Sequence, residues 1–371
     1  MITQLSIANF KPFLHLDINL SNLNILTGLN GMGKSSLIQA LLLLRQSFSD
    51  GVLTQGLRIN GDLVELGTAN DIFNKLTLAD SSLDVEINNN LCWKFRRSTG
   101  NFLPILPNTN TNIQDFALFN TNFQYIGTER LAPKEYHEKD DYTVTIAKQI
   151  SKVKGQCEYA IHFLSHFAAI EVIEPLRHPQ AVDNRLISQT NAWMSEISPG
   201  VRIDLEEQIN SVKLNFKFDN GADYTDPIKP QNTGFGISYA LPLVVATLSA
   251  VPNGLLLFEN PEAHIHPAGQ ASLAKLFAIA AQAGVQLFIE THSDHIINGT
   301  LVSMKKFLNG NTGINPLNAR IFYFSRNPEN AYQVDCMPVQ LTQSGKIANP
   351  PSGFFDQFSK DFKYLLSPVN G

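Results

Sequence analysis

The sequence predicts an α/β fold with a mixed sheet at its core, and three observations predict it. A glycine-rich loop, Gly28 to Ser35, lies between a short strand pattern and a strongly apolar helix pattern. Two apolar runs, Leu255–Glu259 and Val285–Glu290, flank a helix pattern from about Ala268 to Ala283, the strand–helix–strand unit of a parallel sheet. Alternating apolar and polar residues near the amino terminus add strands of antiparallel type. At 371 residues the chain fits one large domain with insertions or two domains.

Taken in order, Gln4–Phe10 and His15–Leu20 alternate with a two-residue period, as half-buried strands do, with Pro12 between them. Leu23-Asn-Ile-Leu-Thr27 is a third strand, and Ser36 to Arg45 a helix with few breakers. Asp62–Gly67 reads as a short strand and turn, and Asp71 as the start of a further element. Leu83–Ile87 and Leu91–Phe95 read as a hairpin around Asn88-Asn-Asn90. Thr99 to Asn122, rich in Asn, Thr and Pro, reads as a loop. Phe123–Arg130 reads as a strand, and Ala147 to Ser195 as mainly helical with breaks at Pro175 and Pro179. Val201–Leu205 and Val212–Phe218 return to strand alternation. Tyr239–Leu248 reads as an apolar helix, and Ile321–Asp335 as strands before a short amphipathic helix ending near Leu366.

The loop Gly28-Leu-Asn30-Gly31-Met-Gly33-Lys34-Ser35-Ser36 fits the phosphate-binding pattern G-x-x-x-x-G-K-[ST] at every fixed position. Glycines let the backbone turn and aim its N–H groups at a phosphate, and the positive end of the following helix adds to the attraction. In that pattern Lys34 reaches the β- and γ-phosphates and the Ser35 hydroxyl binds Mg²⁺. The two apolar strands end in acids and a polar cluster. Glu259 closes the first, followed by Asn260 and Glu262; Glu290, Thr291 and His292 close the second. The C-terminal edge of a parallel sheet is where such folds bind nucleotides, so Glu259 and His292 are expected beside the triphosphate, with Glu259 serving Mg²⁺. A third glycine loop, Asn232-Thr-Gly234-Phe-Gly236-Ile-Ser238, precedes an apolar helix and offers a second anion site.

Composition excludes several classes. Hydrophobic residues make up 43%, so the chain buries a sizeable core, and a formal charge of −5 leaves no basic footprint for nucleic acid. The cluster Lys94, Arg96, Arg97 reads as one solvated strand face. Cys92, Cys157 and Cys336 are distant and odd in number, which suits a reducing compartment, and the opening Met1-Ile-Thr-Gln-Leu-Ser, with no basic start before a long apolar core, leads to the expectation of no signal peptide. The longest apolar stretch, Tyr239–Val251, is too short for a bilayer, so a cytoplasmic protein without a membrane partner is expected.

Together these motifs resemble the ATP-binding-cassette (ABC) type of P-loop ATPase head found in SMC, RecF and OLD-family proteins. Gly28–Ser35 resembles Walker A, Asn232–Ser238 the signature loop, Leu255–Glu259 Walker B, and His292 the switch histidine. The pairs Asn260-Pro-Glu-Ala-His264-Ile-His266-Pro and Glu290-Thr-His-Ser-Asp-His295, with Gly353-Phe-Phe-Asp-Gln357, resemble a stand-alone bacterial group of OLD-like AAA ATPases. The likeness is specific at the motifs and loose between about residues 75 and 225. It implies a mixed-sheet core with an antiparallel β subdomain and a helical insertion. It divides the chain into lobes at 1–75 and 226–305, an insertion at 76–225 and a small module at 306–371. It also implies a homodimer that sandwiches ATP, with Lys34 and Ser35 in cis and Gly234, Gly236 and Ser238 in trans.

The sequence departs from many such ATPases after Glu259, where a second acid usually polarises the attacking water and Asn260 stands instead. Asn260 can orient water but cannot take its proton, which leaves Glu262 to do so if the turn at Pro261 points it inward. Slow hydrolysis is the expectation. A rival reading takes Glu262, His264, His266, His292, Asp294 and His295 as ligands of a transition metal; the plainer one has them cap and pack two helices. The OLD nucleases carry a metal-binding Toprim domain, whereas here the 76 residues after His295 hold no Asp-x-Asp pair. Phe354, Phe355 and Phe358 are expected to pack on the core. Family analogy points to the regulatory subunit of a multi-protein system, anti-phage defence foremost, with a nuclease or other effector as a separate protein. The alternative is a RecF-like ATPase that binds DNA itself, which the acidic balance disfavours. No heptad run suggests SMC-like arms.

Overall fold

The first two strands, β1 (Gln4–Phe10) and β2 (Phe13–Asn19), pair antiparallel across the turn Lys11–Pro12 and bury their apolar alternates. This computed structural model describes residues 1–107, 110, 112–330, 332–342, 345–351, 354 and 357–367, with 357–360 described by backbone only. β3 (Leu23–Gly28) runs into the phosphate loop and α1 (Lys34–Ser49) leaves it. β4 (Gly56–Arg58) and the one-turn α2 (Ala69–Ile72) precede the hairpin β5 (Ser82–Ile87) and β6 (Leu91–Arg96). Asn88 and Asn89 hold φ of 56° and 58°, the left-handed pair that a tight hairpin turn demands and that asparagine tolerates.

Next come β7 (Phe102–Pro104), β8 (Phe123–Ile126), β9 (Tyr136–Glu138), α3 (Ala160–His166) and α4 (Leu186–Ile197). The hairpin strands β10 (Val201–Glu207) and β11 (Ser211–Phe218) lead to α5 (Phe235–Leu248). The crossover β12 (Leu255–Glu259), α6 (Pro267–Gln282) and β13 (Gln286–Glu290) is followed by α7 (Asp294–Gly310). β14 (Ala319–Arg326), β15 (Val334–Pro338) and α8 (Gln357–Leu365) complete the described elements.

The central sheet has the order β15-β14-β3-β13-β12-β8. From β14 to β8 every pairing is parallel, and β15 is an antiparallel edge. The sheet separates two apolar cores by simple alternation. Leu256, Phe258, Leu287 and Ile289 face the core built with α3 to α6, while Leu255, Leu257 and Phe288 face the core built with α1 and the amino-terminal sheet. Burial on both faces is why these strands read as unbroken apolar runs rather than alternating ones. The order β2-β1-β5-β6 forms an antiparallel sheet, and β10-β11-β9 another.

Within 76–225, β5 and β6 extend the amino-terminal sheet, and β8 is an edge of the central sheet. Within 306–371, β14 lies beside β3 in the central sheet. Several sequence expectations need correction. The helical reading of 147–195 shrinks to α3 and α4 with irregular chain between them; Pro175 and Pro179 break more of it than periodicity suggests. The strand expected at Asp62–Gly67 reduces to one bridge, Asn60 with Glu65, and the strand lies earlier as β4. The strand expected over Phe123–Arg130 stops at Ile126, and the 99–122 loop includes β7.

Phe354 is buried against Tyr323, ring centroids 5.7 Å apart. Gly353, Phe355 and Asp356 and the side chain of Phe358 lie outside the described residues. Among the described residues no helix is long and apolar enough to cross a membrane.

Candidate functional site

The parallel strands deliver their C-terminal ends to one edge, and the loops there build the site. Gly33 precedes α1 at φ 83°, a conformation L side chains rarely adopt, and a β-carbon there would sit 2.6 Å from Pro12 Cγ. The loop therefore tucks under the Lys11–Pro12 turn. Together they enclose a cavity of about 490 Å³ lined by Asn30, Gly31, Gly33, Lys34, Ser35, Ser36, Gln39, Asn260, Glu290 and His292. Lys34 is buried, and its Nζ donates to the carbonyls of Gly28 at 2.9 Å and Leu29 at 2.8 Å. Burial lowers its pKa, while Glu290 and then Glu262 favour the charged form. Lys11 Nζ donates to Gln39 Oε1 at 2.6 Å on the far wall.

The acid that meets Ser35 differs from the one sequence reasoning chose. Ser35 Oγ donates to Glu290 Oε1 at 3.0 Å. Glu259 stands beside Glu290 in register on the next strand, but its carboxylate is held by Tyr125 Oη at 3.3 Å and Thr128 Oγ1 at 3.1 Å. The reason is topological: β13 lies between β3 and β12, so its end is nearer the loop. The signal was present, since Glu290 closes an apolar strand as Glu259 does. Burial, then the charge of Glu290, pushes the Glu259 carboxyl up to about 7, against the pull of its hydrogen bonds from Thr128 and Tyr125. Burial also raises Glu290, opposed by the Ser35 hydrogen bond and Lys34.

The residues fit a Mg²⁺ ion. Glu290 is 6% exposed, and its Oε2 is buried without a hydrogen-bond partner among the described residues, next to the Ser35 hydroxyl. A hard cation with its waters suits that hydroxyl and carboxylate set.

Glu262 is turned inward. Its Oε1 accepts from the His292 amide at 2.7 Å and its Oε2 from Thr291 Oγ1 at 2.8 Å, which ties the turn after β12 to the end of β13. Asn260 takes φ 45°, and its amide donates to the Glu290 carbonyl at 2.9 Å. A left-handed asparagine at the cavity wall followed by Pro261 is what swings Glu262 back toward the loop.

The residues of the rival metal reading are held otherwise. His264 packs on Tyr239 and Phe235 with centroids 4.8 and 5.6 Å away, and His266 Nδ1 accepts from the Ala268 amide at the start of α6. Ser293 caps α7, where Asp294 and His295 stand. Among the described residues no group of three or more His, Cys, Asp or Glu could hold a metal ion.

The Asn232–Ser238 loop lies outside this cavity. Gly234 caps α5 in extended conformation and is exposed, as is Phe235 at 50%. Gly236 presses on the turn after β12; a β-carbon there would lie 2.5 Å from the His264 carbonyl oxygen. In the single chain the Ser238 hydroxyl is turned inward. Its Oγ is buried without a hydrogen-bond partner, facing a small internal cavity shared with Arg130, His137 and Cys157. It sits one turn into α5, so its side chain follows the helix's inner face.

Comparison with known proteins finds likenesses of family and of fold. Residues 1–154 match the family described as "AAA ATPase domain", and residues 161–298 the one described as "AAA domain, putative AbiEii toxin, Type IV TA system". Residues 314–365 match a "Protein of unknown function (DUF3696)". Among solved structures, the chain is similar to the Smc head domain with an extended coiled coil bound to the C-terminal domain of ScpA, derived from Pyrococcus furiosus. The TM-score is 0.52 at 13% identity, over 98% of both chains. It is also similar to an SmcHead bound to the C-winged helix domain of ScpA, with a TM-score of 0.50 at 17% identity over 92% of this chain and 98% of that one. Comparison with curated proteins found no match. The fold is that of an SMC head-like P-loop NTPase, and the family matches support an ATP-binding ATPase.

Proposed function

We propose that the chain is an OLD-like switch ATPase that binds ATP with Mg²⁺ at the α1 loop and pairs with a second copy through the α5 loop. One observation carries this reading. The start of α1 gathers Lys34, Ser35, Glu290, Asn260 and His292 around one cavity, whereas the start of α5 is exposed and without such a set. In this reading Lys34 exchanges two loop carbonyls for phosphate oxygens, and Ser35 and Glu290 hold the ion. When bound, Mg²⁺ would supply positive charge to offset that of the triphosphate. Asn260 orients water at the cavity wall, and Glu262 accepts its proton. The backbone N–H groups at Gly234 to Gly236 would meet the γ-phosphate bound to the other copy.

Asn260 in the position of an acid keeps hydrolysis slow until something completes the site, so the ATP-bound pair persists as a signal. The family description at 161–298 names a toxin system, and the similar Smc heads carry a bound partner protein. Both support a cytoplasmic regulatory subunit whose effector, a nuclease in the defence reading, is a separate chain.

Sedimentation velocity tests the pairing. Saturating Mg-ATP should convert monomer to dimer, and Gly234→Arg should block that while a fluorescent ATP analogue still binds. A wild-type chain that stays monomeric with Mg-ATP overturns the sandwich. Single-turnover hydrolysis tests the switch; about 10 s⁻¹ or more by the protein alone, the ordinary range for enzymes, would remove it.

A further inference from the structure

Arg130 lies between the two loops that the proposed function assigns to different ATP molecules. It stands four residues beyond β8 and is 5% exposed. Its Nη2 donates to the Asn260 carbonyl at 2.5 Å, and its guanidinium carbon lies 5.2 Å from the centroid of the Tyr239 ring on α5. Tyr239 Oη returns a hydrogen bond to the Arg130 carbonyl at 3.1 Å. A second contact runs beside it, with Gly236 against the His264 carbonyl and the Phe235 and Tyr239 rings against the His264 ring. The turn that carries Asn260 and Glu262 is thus clasped to the first turn of α5 within one chain.

The clasp has unused hydrogen-bonding capacity. Arg130 Nε and Nη1 are buried without hydrogen-bond partners among the described residues, and so are two acceptors nearby, Asn260 Oδ1 and Ser238 Oγ. Arg130 and Ser238 line the same internal cavity of about 30 Å³. A buried guanidinium with idle donors is costly in a single arrangement. The two idle acceptors belong one to each loop, Asn260 on the turn after β12 and Ser238 on α5. A side chain with two bonding arrangements, each favouring a different placement of the two loops, is the kind of two-state element that can carry coupling between sites.

We propose that Arg130 is a positioning residue that couples the nucleotide-facing turn Asn260–Glu262 to the start of α5. Nucleotide at Lys34 then changes the surface that the chain offers to a second copy. The coupling itself is intramolecular; only its use for pairing rests on the sandwich reading.

The test measures hydrogen exchange over residues 234–241, with and without Mg-ATP, at a concentration where sedimentation shows monomer. Wild type should change its exchange rate there on adding Mg-ATP. Arg130→Met should abolish that change while binding a fluorescent ATP analogue within about threefold of wild type, and Arg130→Lys should restore part of it. At higher concentration, Arg130→Met should weaken ATP-dependent pairing by about tenfold, within the usual span of coupling energies. If Arg130→Met proves insoluble, Tyr239→Phe, which removes only the hydroxyl on the Arg130 carbonyl, should reduce the exchange response. An unchanged response in the soluble variants, or none in wild type, overturns the proposal. A wild-type response without any ATP-dependent dimer leaves the coupling standing and removes the sandwich.

Discussion

Two helices in this molecule begin at glycine-rich loops, and their surroundings differ. The start of α1 has a buried lysine, a serine bonded to a carboxylate and a left-handed asparagine converging on one cavity. The start of α5 has an exposed glycine, an exposed phenylalanine and a serine whose hydroxyl turns inward. Both helix ends project backbone N–H groups, so both attract anions weakly. Only the first adds side chains of the right charge at the right depth. A helix start is a site when the neighbouring strands bring it chemistry, and α1 has β13 beside it while α5 does not.

That contrast can be broken most decisively at Glu262. Glu262→Gln keeps the shape but removes the proton acceptor, and single-turnover hydrolysis should fall by roughly 10²–10⁴-fold with ATP binding retained. A fall under threefold would show that another group takes the proton. Lys34→Ala removes the charge that both Glu290 and Glu262 support, and ATP affinity by titration calorimetry should drop about 100-fold, near 3 kcal/mol. Equal binding would mean the loop amides suffice and the two helix starts are more alike than they look.

Next in size is the choice between the two acids. Glu290→Gln should raise the Mg²⁺ concentration needed for nucleotide binding by about tenfold, as loss of one charged ligand does, whereas Glu259→Gln should change it less than twofold. The reverse ranking would restore Glu259 as the ion's carboxylate.

A separate effect is on stability without nucleotide. Glu259 has a folded-state pKa of about 7, above its unfolded value, so the folded protein binds the extra proton. The associated stability is complete below the unfolded pKa, near pH 4.5, and is lost as pH rises through about 7. Glu259→Gln should remove that loss, up to about 3 kcal/mol across the window, read as a flatter melting temperature against pH.

Much of the fold was legible because its strands announce themselves. Runs such as Leu255–Glu259 and Gln286–Glu290 are apolar at every position since both sheet faces are covered, and their terminal acids stand out. The phosphate loop was legible because glycine spacing is a local property. Strand order was not. Nothing local says that β13 lies between β3 and β12, and without that the sequence does not say which of Glu259 and Glu290 meets Ser35. The inward turn of Ser238 escaped for a related reason, since helical phase needs a starting residue and α5 begins four residues before the apolar pattern does. Arg130 carried no motif at all; its part depends on Asn260 and Tyr239, each more than 100 residues away.

The strand next to the phosphate-loop strand is β14, which pairs with β3 from Ala319 to Phe324 and sets Phe324 opposite Gly28. This has a consequence for synthesis on the ribosome. The loop is made within the first tenth of the chain, yet one flank of its strand stays an open edge until residues near 324 have left the exit tunnel. Open strand edges pair promiscuously. Translation arrested before Ala319 would therefore leave β3, and the nucleotide motif that follows it, beside an unpaired strand edge.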